Sequence, residues 1–246
     1  MAIEIPKKLA GNHGKENAAA IGAKWAETFE LSGGLKANSS VLDIGCGPGR
    51  MAIAIGERFG FTNPAYLGFD ISRKDIDFCT RAITANHRAF RFVHLPIFNA
   101  HYNPEGTIQP KDVKFPAEDK SVDFAFATSV FTHMRTPETL AYLRETKRCL
   151  KPGGRFFATF FCMDPSVKAE TAPRFQFASP VDNHCYTATP QNPEDVIGFP
   201  VEFVLGAFKE AGYVDVGLIR GAWHGVSARH GQDIVVARRP RFLGIW

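Results

Sequence analysis

Three glycines and an acid come together in residues 41–50, VLDIGCGPGR. The apolar residues before Gly45 predict a short buried strand that breaks into a glycine-rich turn, and a helix begins near Gly49. Glycine at these positions permits a sharp bend and lets a ligand lie against the main chain, because no Cβ stands in the way. The free N–H groups at the helix start suit a polar ligand group, and Asp43 offers a carboxylate to a positively charged or hydroxyl-bearing ligand. The turn therefore predicts a small-molecule site.

The spacing of the glycines separates two kinds of nucleotide-binding turn. Dinucleotide-binding proteins use G-x-G-x-x-G, whose third glycine lies deeper in the helix. Here the glycines follow G-x-G-x-G, and Asp43 precedes the first of them by two residues. This spacing disfavours an NAD-dependent oxidoreductase, which nevertheless stays open as an alternative because it would share the sheet and the acids.

A second carboxylate follows the next apolar run. Residues 65–69, AYLGF, predict a strand that ends at Asp70, and Ser72 then begins a helix in the manner of a capping box. An acid at the end of the second strand, roughly 20 residues after the glycine turn, is placed to accept hydrogen bonds from both hydroxyls of a ribose. We therefore predict that Asp70 binds a ribose.

Strands and helices alternate along most of the 246 residues. Alternating units of this kind predict a parallel sheet with right-handed crossovers. The interval 163–200 breaks the pattern, because it is rich in Pro, Asn, Thr and Asp and has no apolar periodicity. We predict one α/β domain over 1–246, with a helical entry segment at 1–39 and an insertion at 163–200. The predicted strands are 40–44, 65–69, 90–95, 121–129, 155–161, 214–219 and 233–237, and the predicted helices are 18–31, 49–59, 73–84, 136–150 and 201–211.

Four motifs in this order give the chain a resemblance to a known family. Besides the glycine turn and Asp70, they are residues 122–134, VDFAFATSVFTHM, and 150–156, LKPGGRF. Together they resemble the class I S-adenosylmethionine-dependent methyltransferases of small molecules. The resemblance implies a doubly wound, mostly parallel, seven-stranded Rossmann-like sheet, with an antiparallel C-terminal edge hairpin and a lid-like insertion after strand five. It also implies S-adenosylmethionine as cofactor, bound by Asp43, Gly45, Cys46, Gly47, Gly49, Arg50, Asp70, Ile71, Asn99 and Ser129.

One position departs from the family pattern. Family members usually carry an acid at or just after strand three, where it contacts the adenine amino group. Residues 92–99, FVHLPIFN, place Pro96 at that point. Asn99 or a backbone carbonyl could replace the acid, so we expect either a different partner for the adenine or weaker cofactor binding in this chain.

Methyl transfer requires an acceptor nucleophile in line with the sulfonium methyl group, and a hydroxyl acceptor also needs a general base. Histidine suits that role because its pKa lies near neutrality. His133 follows strand four at the carboxyl edge of the sheet, where open α/β sheets bind ligands. His184 lies in the insertion, where this family often builds the lid over its acceptor. We predict both as catalytic, with His133 as a possible general base. The predicted acceptor-binding residues are His133, Phe131, Phe161, His184, Tyr186 and His224.

Charge and absent motifs narrow the class of acceptor. The net charge is +4 without a long Lys/Arg run, and residues 128–131, TSVF, stand where amino-methyltransferases of nucleic-acid bases carry a proline pair. We therefore predict O-methylation of a small or medium-sized metabolite. N-methylation is the alternative, and a catalytically silent binding protein is a further one. Nucleic acid, membranes and metals are not expected as partners.

Cysteine usage predicts the compartment. The five cysteines are odd in number and widely spaced, without a CxxC pair or a zinc spacing. Free thiols in a reducing compartment explain this usage, so we predict a cytoplasmic protein. Monomer and homodimer both stay open.

Overall fold

A mostly parallel sheet lies at the centre of the computed structural model, which describes residues 3–9, 15–60 and 65–241. In chain order, the strands among these residues are β1 (Ser40–Ile44), β2 (Ala65–Asp70), β3 (Phe90–His94), β4 (Val122–Ala127), β5 (Leu150–Phe160), β6 (Cys162–Met163), β7 (Ser179–Pro180), β8 (Tyr186–Thr187), β9 (Ile197–Pro200), β10 (Val214–Ile219) and β11 (Asp233–Arg238). Seven strands form the central sheet in the order β10-β11-β5-β4-β1-β2-β3. All neighbours are parallel except β11, which is antiparallel to both β5 and β10. The predicted sheet and its edge hairpin are therefore confirmed.

The strand order reverses beside β1. The chain runs outward from β1 through β2 to β3, and it then returns to place β4 on the other side of β1. The connections that leave the carboxyl ends of β1 and β4 therefore diverge, and open α/β sheets bind ligands in the crevice that such a reversal creates.

The insertion after β5 is more ordered than the sequence predicted. Its short strands form a second sheet in the order β6-β9-β8-β7, in which only β6 and β9 are parallel. The sequence predicted an insertion without apolar periodicity over 163–200 and did not predict these strands. Strands of two to four residues are too short to show an alternating apolar pattern.

Five α-helices flank the central sheet among the described residues. They are α1 (Lys15–Leu31), α2 (Arg50–Phe59), α3 (Arg73–Cys79), α4 (Thr136–Cys149) and α5 (Val201–Glu210), and a π-helical turn, Thr80–Thr84, continues α3. Phe124 and Phe126 of β4 join one buried cluster with side chains of α1, α2 and α3. Ala125 and Ala127 join the other with side chains of α4 and α5. Since successive strand residues point to opposite faces, the helices cover both faces of the sheet.

A group of aromatic rings fixes α1 against the sheet. Phe29 is fully buried, and its ring centroid lies 4.4 Å from that of Phe126 and 5.1 Å from that of Phe157. Trp25, one turn earlier, meets Phe157 edge-on at 5.9 Å. Aromatic pairs at such distances stabilise a core beyond the burial of their surface. None of the helices in the described ranges is long and apolar enough to cross a membrane.

Truncating Phe29 should therefore strongly destabilise the protein. We expect Phe29→Ala to lower the free energy of unfolding by about 3–5 kcal/mol, because it leaves a cavity among rings that cannot collapse. Equilibrium urea unfolding measures this change. Leu31→Ala on the same helix is the control, since Leu31 is 72% exposed and its truncation should change stability by less than about 0.5 kcal/mol. Equal losses in the two variants would contradict this account of the core.

Candidate functional site

A cavity of about 380 Å³ opens at the carboxyl edge of the central sheet. Its walls come from the ends of β1, β2 and β4, from the loop after β3, from the first turns of α3 and α4, and from one residue of the insertion. The volume falls in the range of small-molecule sites. The lining residues are Gly45, Phe69, Asp70, Ile71, Ser72, Lys74, Asp75, Ile97, Phe98, Asn99, Tyr102, Pro110, Ser129, Val130, His133, Met134, Arg135, Glu138, Tyr142 and Glu194.

The glycine turn has the left-handed backbone that its sequence predicts. Gly45 has φ +73°, and a Cβ there would lie 2.6 Å from Val130 Cγ2, so the turn packs directly against the residue that follows β4. Gly47 has φ +50°, but a Cβ there would meet no atom within 4 Å. Gly45 is therefore required by packing as well as by conformation, whereas open space lies beside Gly47.

Asp70 joins the glycine turn to the start of α3. Its Oδ2 accepts the N–H of Gly47 at 2.7 Å, and its Oδ1 accepts the N–H of Ser72 at 2.8 Å. Burial raises the pKa of this carboxyl to about 6, although both N–H donors act in the opposite direction. Asp70 also lines the cavity, so its remaining lone pairs can accept hydrogen bonds from a ligand.

Asp43 lies behind the turn and does not line the cavity. It is 1% exposed, its Oδ2 is hydrogen-bonded to the hydroxyl of Tyr66, and its buried Oδ1 has no partner. Burial raises the pKa of Asp43 to about 8, and the negative charge of Asp70 adds to that shift. The carboxyl is therefore mostly protonated at neutral pH.

Acidic side chains outnumber basic ones around the cavity. Besides Asp70, the lining carboxyls are Asp75, Glu138 and Glu194, against Lys74 and Arg135. Two carboxylate oxygens, Oδ1 of Asp75 and Oε2 of Glu138, are buried without a hydrogen-bond partner. Arg135 pairs with Glu194 at 3.2 Å. The cavity therefore has unpaired negative charge and suits a cationic ligand.

His133 lines the same cavity as Gly45 of the glycine turn. Its Nδ1 is 3.0 Å from the backbone oxygen of Glu194 and 3.3 Å from the hydroxyl of Tyr102. Because a carbonyl oxygen can only accept, Nδ1 carries the hydrogen, and Nε2 keeps its lone pair. Burial lowers the pKa of His133, so the ring is neutral at pH 7.

Asn99 shapes the loop after β3. Its Oδ1 accepts the N–H groups of Tyr102 at 2.7 Å and of His101 at 3.1 Å. The backbone of Pro96 is also held in place, because its carbonyl oxygen accepts the N–H of Ile108 at 3.0 Å. Asn99 lines the cavity, but its amide oxygen is already shared between two donors. Its predicted contact with adenine stays a prediction.

The predicted cofactor residues divide into two groups. Gly45, Asp70, Ile71, Asn99 and Ser129 line the cavity. Ser129 has φ +57°, which is unusual for a residue with a side chain and is typical of functional turns. The other predicted residues lie in or beside the glycine turn but do not line the cavity. They are Asp43, Cys46, Gly47, Gly49 and Arg50.

Five of the six predicted acceptor residues lie outside this cavity, and only His133 lines it. Phe131 is fully buried and stacks on Phe160 at 4.7 Å, so it belongs to the core. His184 stacks on Phe203 at 4.6 Å beside a separate shallow groove, and Tyr186 lies in β8 of the second sheet. Phe161 and His224 each pack against Trp223, away from this cavity. His184 therefore has no described contact that supports its predicted catalytic role.

The sequence did not predict several residues of the site. Glu138 lies in the first turn of α4, the helix that follows β4, and an acid at this place in the chain is a signal that could have identified it. Glu194 lies in a 3-10 helical turn of the insertion and Tyr102 in the loop after β3, so both reach His133 only through folding. Within the described ranges, no group of three or more His, Cys, Asp or Glu side chains could hold a metal ion. All five cysteines are buried and unpaired.

The raised pKa of Asp43 predicts how stability depends on pH. The folded state holds the Asp43 proton more tightly than the unfolded state does, so this contribution is complete below about pH 4 and is lost as the pH rises through about 8. Asp43→Asn removes the titration. Between pH 5 and pH 8, we therefore expect wild type to lose ~1–3 kcal/mol more unfolding free energy than this variant.

Urea unfolding at several pH values tests this expectation. Asp77→Asn is the matched control, because Asp77 is exposed on α3 and its replacement should leave the wild-type pH profile unchanged. Parallel profiles for wild type and Asp43→Asn would show that Asp43 is ionised in the folded protein.

Comparisons with known proteins agree with this geometry. The sequence model of a methyltransferase domain family matches residues 16–193. The demethylmenaquinone methyltransferase of Staphylococcus aureus is 26% identical over 217 residues, which cover 84% of this chain and 80% of that protein.

Solved structures show the same fold. A SAM-dependent methyltransferase from Aquifex aeolicus has a TM-score of 0.58 at 18% identity and covers 94% of this chain and 95% of its own. A Haemonchus contortus phosphoethanolamine N-methyltransferase 2, in complex with phosphomonomethylethanolamine and S-adenosylhomocysteine, has a TM-score of 0.60 at 14% identity, over 88% of this chain and 52% of its own. The family match, the glycine turn with Asp70 and the acidic cavity lead to one conclusion: this chain belongs to the methyltransferase domain family and is an S-adenosylmethionine-dependent methyltransferase.

Proposed function

We propose that the enzyme methylates an oxygen atom of a small or medium-sized metabolite, with His133 as the general base. The observation that carries the proposal is the position of His133, which lines the same cavity as Asp70 and whose Nδ1 is held by the backbone oxygen of Glu194. The relative named demethylmenaquinone methyltransferase supports a small-molecule acceptor. Nitrogen is the alternative nucleophile, and nucleic acid, membranes and metals have no part in the proposal.

The cavity residues fit S-adenosylmethionine in charge and in hydrogen bonding. When bound, this cofactor supplies an electrophilic methyl group on a positively charged sulfur. Asp70 would accept hydrogen bonds from the ribose hydroxyls, and Ile71 and Phe98 would contact the adenine. The unpaired carboxylate oxygens of Asp75 and Glu138 favour a ligand with positive charge.

His133 would act on the acceptor side. Its hydrogen bond to the Glu194 carbonyl fixes the tautomer, and this leaves Nε2 free to receive a proton from an acceptor hydroxyl. The lowered pKa keeps the ring in the neutral form that a base requires. An amine acceptor that binds in its neutral form would depend less on this histidine. We also propose that the enzyme is cytoplasmic and is a monomer or a homodimer.

Replacing Asp70 should weaken cofactor binding. We expect Asp70→Asn to lower the affinity for S-adenosylhomocysteine by ~1–3 kcal/mol, because the amide presents fewer acceptors to the ribose. Isothermal titration calorimetry at pH 7.5 measures the change, with Asp77→Asn as control. In wild type, affinity should also fall as the pH drops below about 6, where Asp70 gains a proton. Unchanged affinity in Asp70→Asn would remove Asp70 from the binding site.

Replacing His133 should separate binding from turnover. Once acceptor screening with labelled S-adenosylmethionine gives a substrate, we expect His133→Gln to bind S-adenosylhomocysteine as wild type does. Its methyl transfer to a hydroxyl should fall roughly 10²–10⁴-fold. The acid limb of the wild-type rate profile should lie below pH 6.5, because the pKa is lowered. His184→Gln is the control and should keep full activity; the opposite pattern would assign the base to His184.

A further inference from the structure

A second recess, of about 340 Å³, lies on the same sheet edge as the cofactor cavity. It borders Met163, just beyond the end of β5, whereas the cofactor cavity borders Ser129, just beyond the end of β4. β4 and β5 are neighbours in the sheet. Ser129 Oγ donates to Gln232 Oε1 at 3.1 Å. Gln232 directly precedes Asp233, whose carboxylate binds Trp223 and His224 of the recess. The two spaces are therefore adjacent along one edge.

Aromatic rings form the wall of the recess. Phe175, Phe177 and Trp223 line it, and Phe161 packs behind them. The centroid of Trp223 lies 5.5 Å from those of Phe161 and Phe177, in edge-to-face contacts. The ring of Phe177 lies flat on Gly198, where a Cβ would be only 2.9 Å from three ring carbons. The rings are thus held in place and present apolar surface to a ligand.

A buried carboxylate positions the one histidine of the recess. Asp233 is fully buried and accepts the N–H of Gly221 at 2.8 Å, of Cys162 at 2.8 Å and of the Trp223 indole at 2.6 Å. His224 Nε2 lies 3.0 Å from the same carboxylate and donates to it. No described residue bonds His224 Nδ1. In the neutral ring whose Nε2–H is donated to Asp233, Nδ1 is the hydrogen-bond acceptor.

The charges of the recess are already paired. Asp164 lines it and is bound to the guanidinium of Arg220. The other lining residues are apolar or aromatic apart from His224. The recess therefore favours an uncharged ligand, in contrast to the acidic cofactor cavity beside it.

We propose that this recess is the acceptor subsite of the enzyme and that it binds an uncharged planar aromatic ring, one hydroxyl of which, distinct from the oxygen that is methylated beside His133, donates a hydrogen bond to His224 Nδ1. This inference rests on the proposed methyl transfer and names its class of substrate. The rings of Phe175 and Phe177 contact the planar ligand, and Asp233 keeps the imidazole oriented.

Binding of a simple aromatic alcohol tests the proposal on the full chain. The probe is 2-naphthol, titrated by calorimetry with and without S-adenosylhomocysteine. We expect saturable binding that weakens roughly tenfold or more in Phe175→Ala and Phe177→Ala, since each removes ring contact. Phe203→Ala is the matched control, because Phe203 is also half-buried but lies on α5 beside His184. This variant should bind 2-naphthol as tightly as wild type does.

The hydrogen bond is tested separately. His224→Gln should weaken 2-naphthol and leave 2-methoxynaphthalene, which has no donor, unchanged. Equal effects on both compounds, or full 2-naphthol affinity in both phenylalanine variants, would overturn the proposal. If S-adenosylhomocysteine binds and 2-naphthol does not, the subsite is rejected and the methyltransferase site stands. If 2-naphthol binds and S-adenosylhomocysteine does not, the recess is a ligand site and the proposed reaction fails.

Discussion

The two hydrogen bonds that Asp70 accepts hold together the turns on which the cavity depends. Gly47 belongs to the turn after β1, and Ser72 begins α3 after β2. One carboxylate therefore sets the spacing between two strand ends, and it faces the cavity at the same time. Any ligand that binds Asp70 contacts a group that is already fixed, so little conformational entropy is lost on binding.

Burial of acids gives this edge of the sheet its electrostatic character. Burial raises the pKa of both Asp43 and Asp70, and the negative charge of Asp70, which faces the cavity, adds to the shift at Asp43. Such groups destabilise a folded protein unless a partner compensates them. A positively charged ligand supplies that compensation, so the arrangement that lowers stability also favours the proposed cofactor. Sites that trade stability for function in this way are common in enzymes.

The insertion after β5 contributes to both spaces on this edge. It supplies Glu194 to the cofactor cavity, where its backbone oxygen orients His133. It also supplies Phe175 and Phe177 to the aromatic recess. The core sheet thus fixes the position of the cavity, whereas the insertion shapes the surface that we propose for the acceptor. Its second sheet gives the insertion a defined structure of its own.

Local sequence determined the sheet, the glycine turn and Asp70, because each depends on residues close together in the chain. Apolar runs of five or six residues predict strands, and positive φ angles in the turn require glycine. The family motifs also place His133 beyond β4. Only the tertiary structure decided which side chains share a space. Glu194 reaches His133 across 61 residues, and the burial that raises the pKa of Asp43 comes from packing. Packing also separates His184 from the cavity and brings His224 to Asp233 among aromatic rings. Contacts between distant segments leave no local periodicity in the sequence, so the sequence alone did not predict them.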